Sequence, residues 1–161
     1  MQFAPIPKDE KERLEAVHKM GILDTEREDR FDILTKEAVV RLKVPISTLT
    51  ILDNDREWFK SAQGIGGSES ERDISFCGHA LLAKDIFIVE DTLKDIRFAD
   101  NPMVIGKPYI RAYAGIALIE HKTGHSIGVF CVKDTKPRSF TMKELNILVD
   151  IAARVEDELN K

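Results

Sequence analysis

The sequence predicts a single α+β domain, in which helices near both ends of the chain pack on one face of a central antiparallel sheet. Apolar residues recur at helical spacing near both termini, and short alternating segments joined by hairpin-type turns lie between residues 46 and 132. The 161 residues suffice for one core of ordinary size. We therefore expect one domain over residues 1–161, with a core from about residue 14 to residue 153 and five or six strands.

Two helices are predicted before the sheet. The first covers Asp9–Met20 and stops at Gly21. The second begins after Asp24 or Thr25 and ends before Pro45. Its apolar stripe consists of Phe31, Leu34, Ala38 and Leu42.

The first strands are predicted from alternation and turn residues. Ile46–Leu52 is rich in Ile, Thr and Leu, and the turn residues 53–55 separate it from an extended segment at Glu57–Gln63. Residues 64–68, which are mostly Gly and Ser, predict a loop. Ile86–Val89 is a short apolar run suited to a buried strand.

The last part of the chain predicts a hairpin and a helix. Arg111–Ile119 and Ser126–Val132 are strands joined through Lys122–Gly124. The final helix opens at Thr141, where Glu144 stands three positions later and completes a capping-box pattern.

Loops with short helical turns are expected to cover the second face of the sheet. Since the helices cover only one face, residues 64–109 are the material left for the other, and this predicts a cavity between sheet and loops. Polar, aromatic and thiol side chains concentrate there, mainly in the segment Ser75–Gly115. The candidate ligand-binding residues are Trp58, Phe76, Cys77, His79, Asp91, Arg97, Phe98, Asp100, Asn101, Arg111 and Tyr113.

Composition limits the function classes. The chain is 43% hydrophobic and 32% charged, and no apolar run approaches the roughly 20 residues needed to cross a bilayer. Acidic and basic residues are interleaved at a net charge of -4, which leaves no basic stripe for nucleic acid. Met1–Arg13 lacks the apolar middle of a secretory signal. We expect a cytoplasmic domain that binds neither membrane nor nucleic acid.

The two cysteines raise the question of thiol or metal chemistry. Cys77 and His79 are two positions apart, which suits an activated nucleophile or half of a metal site. A zinc site needs two further ligands, and Cys131 lies in an apolar strand segment where a buried thiol is the common explanation. We therefore predict no metal and no catalytic residue, with Cys77 as the alternative, and the sequence does not identify a cofactor.

Several blocks along the chain carry a family resemblance. The chain resembles, from Leu14 to about Ala153, a GAF domain of the bacterial type often found beside histidine kinase, diguanylate cyclase or PAS modules. The matching blocks are Gly21–Thr25, Arg30–Asp32, Trp58–Ser61, Ser75–Ala80, Val89–Asp91, Arg97–Pro102, Ile110–Gly115 and Gly128–Val132.

The resemblance implies a sensory or regulatory domain with a ligand pocket under loops, a homodimer formed through the terminal helices, and a signalling partner protein. It does not identify the ligand, because GAF domains bind cyclic nucleotides, tetrapyrroles, haem or small metabolites. The Asn-Lys-Phe-Asp-Glu set of cyclic-nucleotide phosphodiesterases has no counterpart in this sequence.

Two alternatives remain open at this point. The chain is similar in length to free methionine-R-sulfoxide reductases, and Cys77 matches one cysteine of that group, which would make it the catalytic thiol. A resolving cysteine would be expected in Ile96–Tyr109, and that loop contains none. The other alternative is a dimerisation module without a ligand.

Overall fold

The computed structural model describes all 161 residues and contains one six-stranded antiparallel sheet with five helices. The strand order is β3-β2-β1-β6-β5-β4. The predicted fold class is therefore confirmed. The elements are α1 (Glu10–Met20), α2 (Asp29–Leu42), β1 (Ile46–Leu52), β2 (Arg56–Gln63), β3 (Glu69–Glu71), α3 (Phe76–Ala80), β4 (Phe87–Val89), α4 (Pro102–Ile105), β5 (Ala112–Ile119), β6 (Ser126–Asp134) and α5 (Met142–Leu159).

The helices α1, α2 and α5 share one face of the sheet. Apolar side chains from all three meet alternate residues of β1, β5 and β6 in a single buried cluster. The capping box of α5 is formed as predicted, because Thr141 Oγ1 accepts a hydrogen bond from the Glu144 amide at 3.1 Å and the Glu144 carboxylate accepts one from the Thr141 amide at 2.9 Å. None of the helices combines the length and apolarity that crossing a bilayer requires.

The start of α2 differs from the prediction, since the helix begins at Asp29. Tertiary contacts hold the preceding residues out of a helix. Asp24 adopts a left-handed φ of 62°, and its carboxylate receives two hydrogen bonds of 2.8 Å from Arg56. The Lys60 ammonium donates to Thr25 Oγ1 at 2.8 Å. These partners come from β2, and so the sequence around residue 25 does not reveal them.

The second face of the sheet is covered by a segment that we call the lid, residues 72–86 and 90–110. It contains α3, a 3-10 turn at Thr92–Lys94, and α4. The helix α3 was not predicted, because a glycine interrupts its short sequence. Ser75 caps it by accepting a hydrogen bond from the Gly78 amide at 2.9 Å. A Cβ at Gly78 would lie 2.6 Å from the Ala4 side chain, so a residue without a side chain is needed at that position.

Candidate functional site

Aromatic rings and apolar side chains fill the space between lid and sheet. The Phe76 and Phe98 rings stack with centroids 4.3 Å apart, and Phe76 stacks on Tyr113 at 5.3 Å. All three side chains are fully buried. The volume where the sequence predicted a cavity is therefore occupied by a packed cluster, to which α3, α4, β5 and β6 all contribute. We call it the lid cluster.

The outer side of the lid is closed by the N-terminal segment. His79 Nε2 lies 3.2 Å from the Gln2 carbonyl oxygen, and the His79 ring contacts Phe98 edge-on at 4.8 Å. Burial lowers the pKa of His79. The Arg97 guanidinium stands over the Phe98 ring at 5.3 Å, and the Arg97 carbonyl accepts a hydrogen bond from the Gln2 amide. Both polar side chains thus form part of the lid's outer layer.

Three predicted site residues shape the lid through main-chain contacts. Asn101 caps α4, and its Nδ2 donates to the Ile74 carbonyl at 2.9 Å. Asp91 caps the 3-10 turn. Arg111 donates to the Val104 carbonyl at 2.8 Å. Their polar groups are used to hold the lid in place.

Two other predicted site residues lie outside the lid cluster. Trp58 is buried on the helix side of the sheet, among the core residues of α2 and α5. The Asp100 side chain is 70% exposed and pairs with the chain's own amino terminus at Met1. Ligand contact by the eleven predicted residues stays a prediction. The residues that the fold brings close together, in and around the lid cluster, are Phe76, Cys77, His79, Arg97, Phe98 and Tyr113.

Beneath the rings of the lid cluster, the lid-facing side of the sheet is polar. Thr48 on β1 pairs with Cys131 on β6, and Thr48 Oγ1 lies 3.1 Å from Cys131 Sγ and 2.8 Å from Thr50 Oγ1. All of these side chains are buried, as are two charged ones from β2 and β6. We call this set the polar floor, and it consists of Thr48, Thr50, Glu57, Cys131 and Lys133.

The two charges of the polar floor are incompletely paired. Glu57 is 1% exposed; its Oε2 accepts a hydrogen bond from Ser70 at 2.5 Å, whereas its Oε1 has no partner. Lys133 is also 1% exposed, and its ammonium lies over the Phe59 ring at 5.9 Å. Burial acts to lower the pKa of Lys133, but the negative charges of Cys131 and Glu57 raise it. The floor therefore presents buried charge of both signs.

Hydrogen bonds run from Tyr113 on β5 through Cys77 in the lid to Cys131 and Thr48 in the polar floor. The Tyr113 hydroxyl donates to Cys77 Sγ at 3.2 Å, and Cys77 Sγ donates to Cys131 Sγ at 3.7 Å. Burial acts to raise the pKa of Cys131. The hydrogen bond from Cys77, the charge of Lys133 and the contact with Thr48 outweigh this effect and lower that pKa to about 6. Burial raises the pKa of Cys77.

Sequence reasoning missed the floor residues Glu57 and Lys133 and read Cys131 as ordinary core. A signal for them was present in Ser126–Asp134, where alternate positions Val129, Cys131 and Lys133 share one side of the strand. A lysine at a position that faces the core is unusual enough to mark a site.

The largest open groove lies outside the space between the lid and the polar floor. It has a volume of about 730 Å³ and runs beside the part of β5 that β4 leaves uncovered. Its walls are the connection from α3 to β4 and the side of α5 that carries Val149. This groove is mostly apolar and does not share residues with the polar floor.

Comparison with known proteins gives concordant results. The GAF domain family model matches residues 26–159. A cyclic di-GMP phosphodiesterase of Pseudomonas aeruginosa is 38% identical over 138 residues, which are 86% of this chain and 23% of that protein. This chain therefore spans about a quarter of that relative's length.

Solved structures share the fold. The GAF domain of a phosphoenolpyruvate-protein phosphotransferase from Acinetobacter superposes with a TM-score of 0.65 at 18% identity, covering 92% of each chain. A type II free methionine-R-sulfoxide reductase from Thermoplasma acidophilum gives a TM-score of 0.64 at 14% identity, covering 91% of this chain and 94% of that one. At these identities the similarity concerns the fold alone.

Proposed function

The chain belongs to the GAF domain family, a family of small-molecule sensory domains in signalling, and from that premise we propose that its ligand is a small polar molecule bound between the lid and the polar floor. The observation that carries the proposal is Glu57 Oε1, a buried carboxylate oxygen without a hydrogen-bond partner. Leaving such a group unpaired costs about 1–3 kcal/mol or more. A ligand that donates to it recovers this free energy.

The charges of the floor define the chemistry of the proposed ligand. It carries a hydrogen-bond donor for Glu57 and an acceptor or anionic group for Lys133. The Phe76 and Phe98 rings stack on each other in the closed lid. A planar ligand replaces this contact when it stacks on either ring. A ligand with a flat, polar ring system and an anionic substituent satisfies all of these groups.

Binding requires the lid to rearrange, because packed rings occupy the space above the floor. The lid packs on the sheet through a buried cluster that is separate from the helix-side core, so it can open without disrupting that core. A ligand that contacts the floor only in the open state shifts the population toward that state. This is the step that we propose converts ligand concentration into a conformational signal.

We further propose that the domain works as a cytoplasmic homodimer attached to a signalling partner. Met142 and Val149 on α5 are exposed and one heptad apart, which suits contact with a second copy of the helix. The similarity to part of a cyclic di-GMP phosphodiesterase supports a regulatory role beside an enzyme of that signalling class.

A ligand screen with a charge variant tests the proposed site. The purified chain is screened by thermal shift against cyclic di-GMP, cyclic GMP, purine nucleotides and amino acids, and hits are measured by calorimetry. We expect a hit that Lys133→Met weakens at least about tenfold, since that variant removes the only buried cation of the floor. Lys36→Met, at an exposed position on α2, keeps full affinity.

Glu57→Gln is a second variant for testing ligand affinity, because the glutamine amide fills the same volume as the carboxylate without its charge. Equal affinity of the wild type, Lys133→Met and Glu57→Gln for the same ligand would place the ligand elsewhere and contradict the proposed site.

A further inference from the structure

The only two cysteines of the chain meet at the boundary between lid and floor. We propose that Cys77 and Cys131 form a reversible internal disulfide when the protein encounters a peroxide. Their Sγ atoms are 3.7 Å apart, although the residues are 54 positions apart in sequence. Oxidation by a peroxide would be a second signal for the domain, and it does not depend on the ligand proposed above.

The geometry makes the pairing accessible. A disulfide bond is about 2.05 Å long, so the two sulfur atoms must approach by less than about 2 Å. Cys77 lies on the five-residue helix α3, which is part of the lid, whereas Cys131 is fixed in the centre of the sheet. A small shift of the short helix is therefore sufficient.

Hydrogen bonding assigns different roles to the two thiols. Tyr113 donates to Cys77, Cys77 donates to Cys131, and Thr48 Oγ1 lies 3.1 Å from Cys131 Sγ. Cys131 therefore accepts a hydrogen bond from Cys77 and lies beside the Thr48 hydroxyl, and buried Lys133 also favours negative charge on it. Cys131 is thus the thiolate that reacts with the peroxide, and Cys77 is the thiol that resolves the product.

The reaction proceeds in two balanced steps. In the first, the Cys131 thiolate attacks one oxygen of hydrogen peroxide, so that an S–O bond forms, the O–O bond breaks, and hydroxide leaves to take up a proton as water. In the second, the sulfur of Cys77 attacks the sulfenic acid of Cys131, the S–S bond forms, and the oxygen leaves with the thiol proton as a second water. The two sulfur atoms are oxidised by two electrons in total, and the peroxide is reduced.

The disulfide would join the lid covalently to the sheet. Because α3 also carries Phe76, which stacks on Phe98 and Tyr113, the bond keeps these rings in place over the polar floor. Oxidation would therefore hold the domain in the closed state, a consequence that rests on the ligand site proposed above. Formation of the bond requires the lid to open far enough to admit a peroxide, because both thiols are buried, but it does not depend on a bound ligand.

Thiol counting on the wild-type chain tests the bond. The protein is incubated with hydrogen peroxide, denatured, and treated with an alkylating reagent before intact-mass analysis, since both thiols are buried in the folded state. We expect a species that takes up no alkyl group and has lost two hydrogen atoms. Peptide mapping then finds residues 77 and 131 linked, and dithiothreitol restores both thiols. Persistence of two free thiols, or a bond only between separate molecules, overturns the proposal.

Single-cysteine variants test the assigned roles. Cys77→Ala leaves a sulfenic acid at Cys131 that dimedone traps, whereas Cys131→Ala leaves Cys77 without a dimedone adduct. The reverse pattern overturns the assignment. Circular dichroism confirms that each variant is folded.

A conservative pair of variants examines the hydrogen-bond chain without removing a thiol. Thr48→Val removes the hydroxyl beside Cys131 Sγ, and we expect it to slow disulfide formation several-fold. Thr50→Val is the matched control, because Thr50 is equally buried and touches Thr48 but not the thiol. Equal rates of disulfide formation in Thr48→Val and Thr50→Val would show that the hydrogen bonds around Cys131 do not activate its thiol.

Discussion

At the scale of single residues, the position of Tyr113 depends on the absence of a side chain at Gly115. The two residues are on the same side of β5, and the Tyr113 ring lies over Gly115 while its hydroxyl reaches Cys77. A Cβ at Gly115 would lie 2.8 Å from Tyr113 Cζ and closer still to the hydroxyl oxygen. The glycine is therefore required by packing and not by an unusual backbone conformation.

Gly115→Ala is expected to displace the Tyr113 ring and to destabilise the domain. Overpacking of this kind costs about 1–3 kcal/mol in the free energy of unfolding, which urea denaturation measures. Gly66→Ala is the control, since a Cβ there meets nothing within 4 Å. A Gly115→Ala variant as stable as the Gly66→Ala variant would contradict the packing argument.

At the scale of elements, an ion pair between Glu10 and the buried Arg72 joins α1 to the start of the lid. Glu10 accepts two hydrogen bonds of 2.8 Å from Arg72 and two, of 2.6 and 3.1 Å, from Arg13. Both arginine side chains are at most 2% exposed. The Glu10 carboxylate is therefore the common partner of two buried cations.

Glu10→Gln is expected to destabilise the chain by about 2 kcal/mol at pH 7, because it leaves the two arginines without a carboxylate. Burial acts to raise the pKa of Glu10, but hydrogen bonds from Arg72 and Arg13 lower it below its ordinary value of 4.5. A lowered folded-state pKa gives stability that is present above pH 4.5 and is lost as the pH falls through the folded-state value.

Denaturation of both proteins between pH 7 and pH 3 measures this dependence. The stability difference between wild type and Glu10→Gln should shrink as the pH falls below 4.5 and through the lowered folded-state pKa of Glu10. Glu15→Gln, an exposed position on the same helix, should change little at any pH. A difference that stays constant across the range would show that the ion pairs do not hold α1 in place.

At the scale of the whole molecule, one side of α5 remains apolar and open. Met142 and Val149 are 73% and 46% exposed, and Val149 also borders the groove beside β5. In a monomer these side chains would stay in contact with water. A second copy packed along α5 would cover both, which is the arrangement proposed above for the dimer.

Val149→Glu is expected to increase the monomer fraction in sedimentation velocity experiments, because it places a charge in the proposed contact. Ile96→Glu is the matched control, since Ile96 is an exposed apolar residue that lies on the lid and not on α5. The same distribution for the wild type and both variants would exclude α5 as the dimer contact.

Interactions between residues close in sequence determined where most helices and strands begin and end. Thr141 with Glu144 fixed the start of α5, Gly21 fixed the end of α1, and alternation located β1 and β6 within two residues of their ends. These signals act between neighbours in the chain, and for that reason the sequence by itself contains them. The family resemblance, carried by blocks along the whole chain, determined the fold and the kind of function.

Only the tertiary structure decided what lies between lid and sheet. It brings Cys77 beside Cys131, places Glu57 and Lys133 in one buried floor, and puts Trp58 on the opposite face. Each of these juxtapositions joins strands or helices that are distant in sequence. Side-chain type and spacing do not encode such contacts, because they depend on the register of β1, β2, β5 and β6 and on how the lid folds back over them.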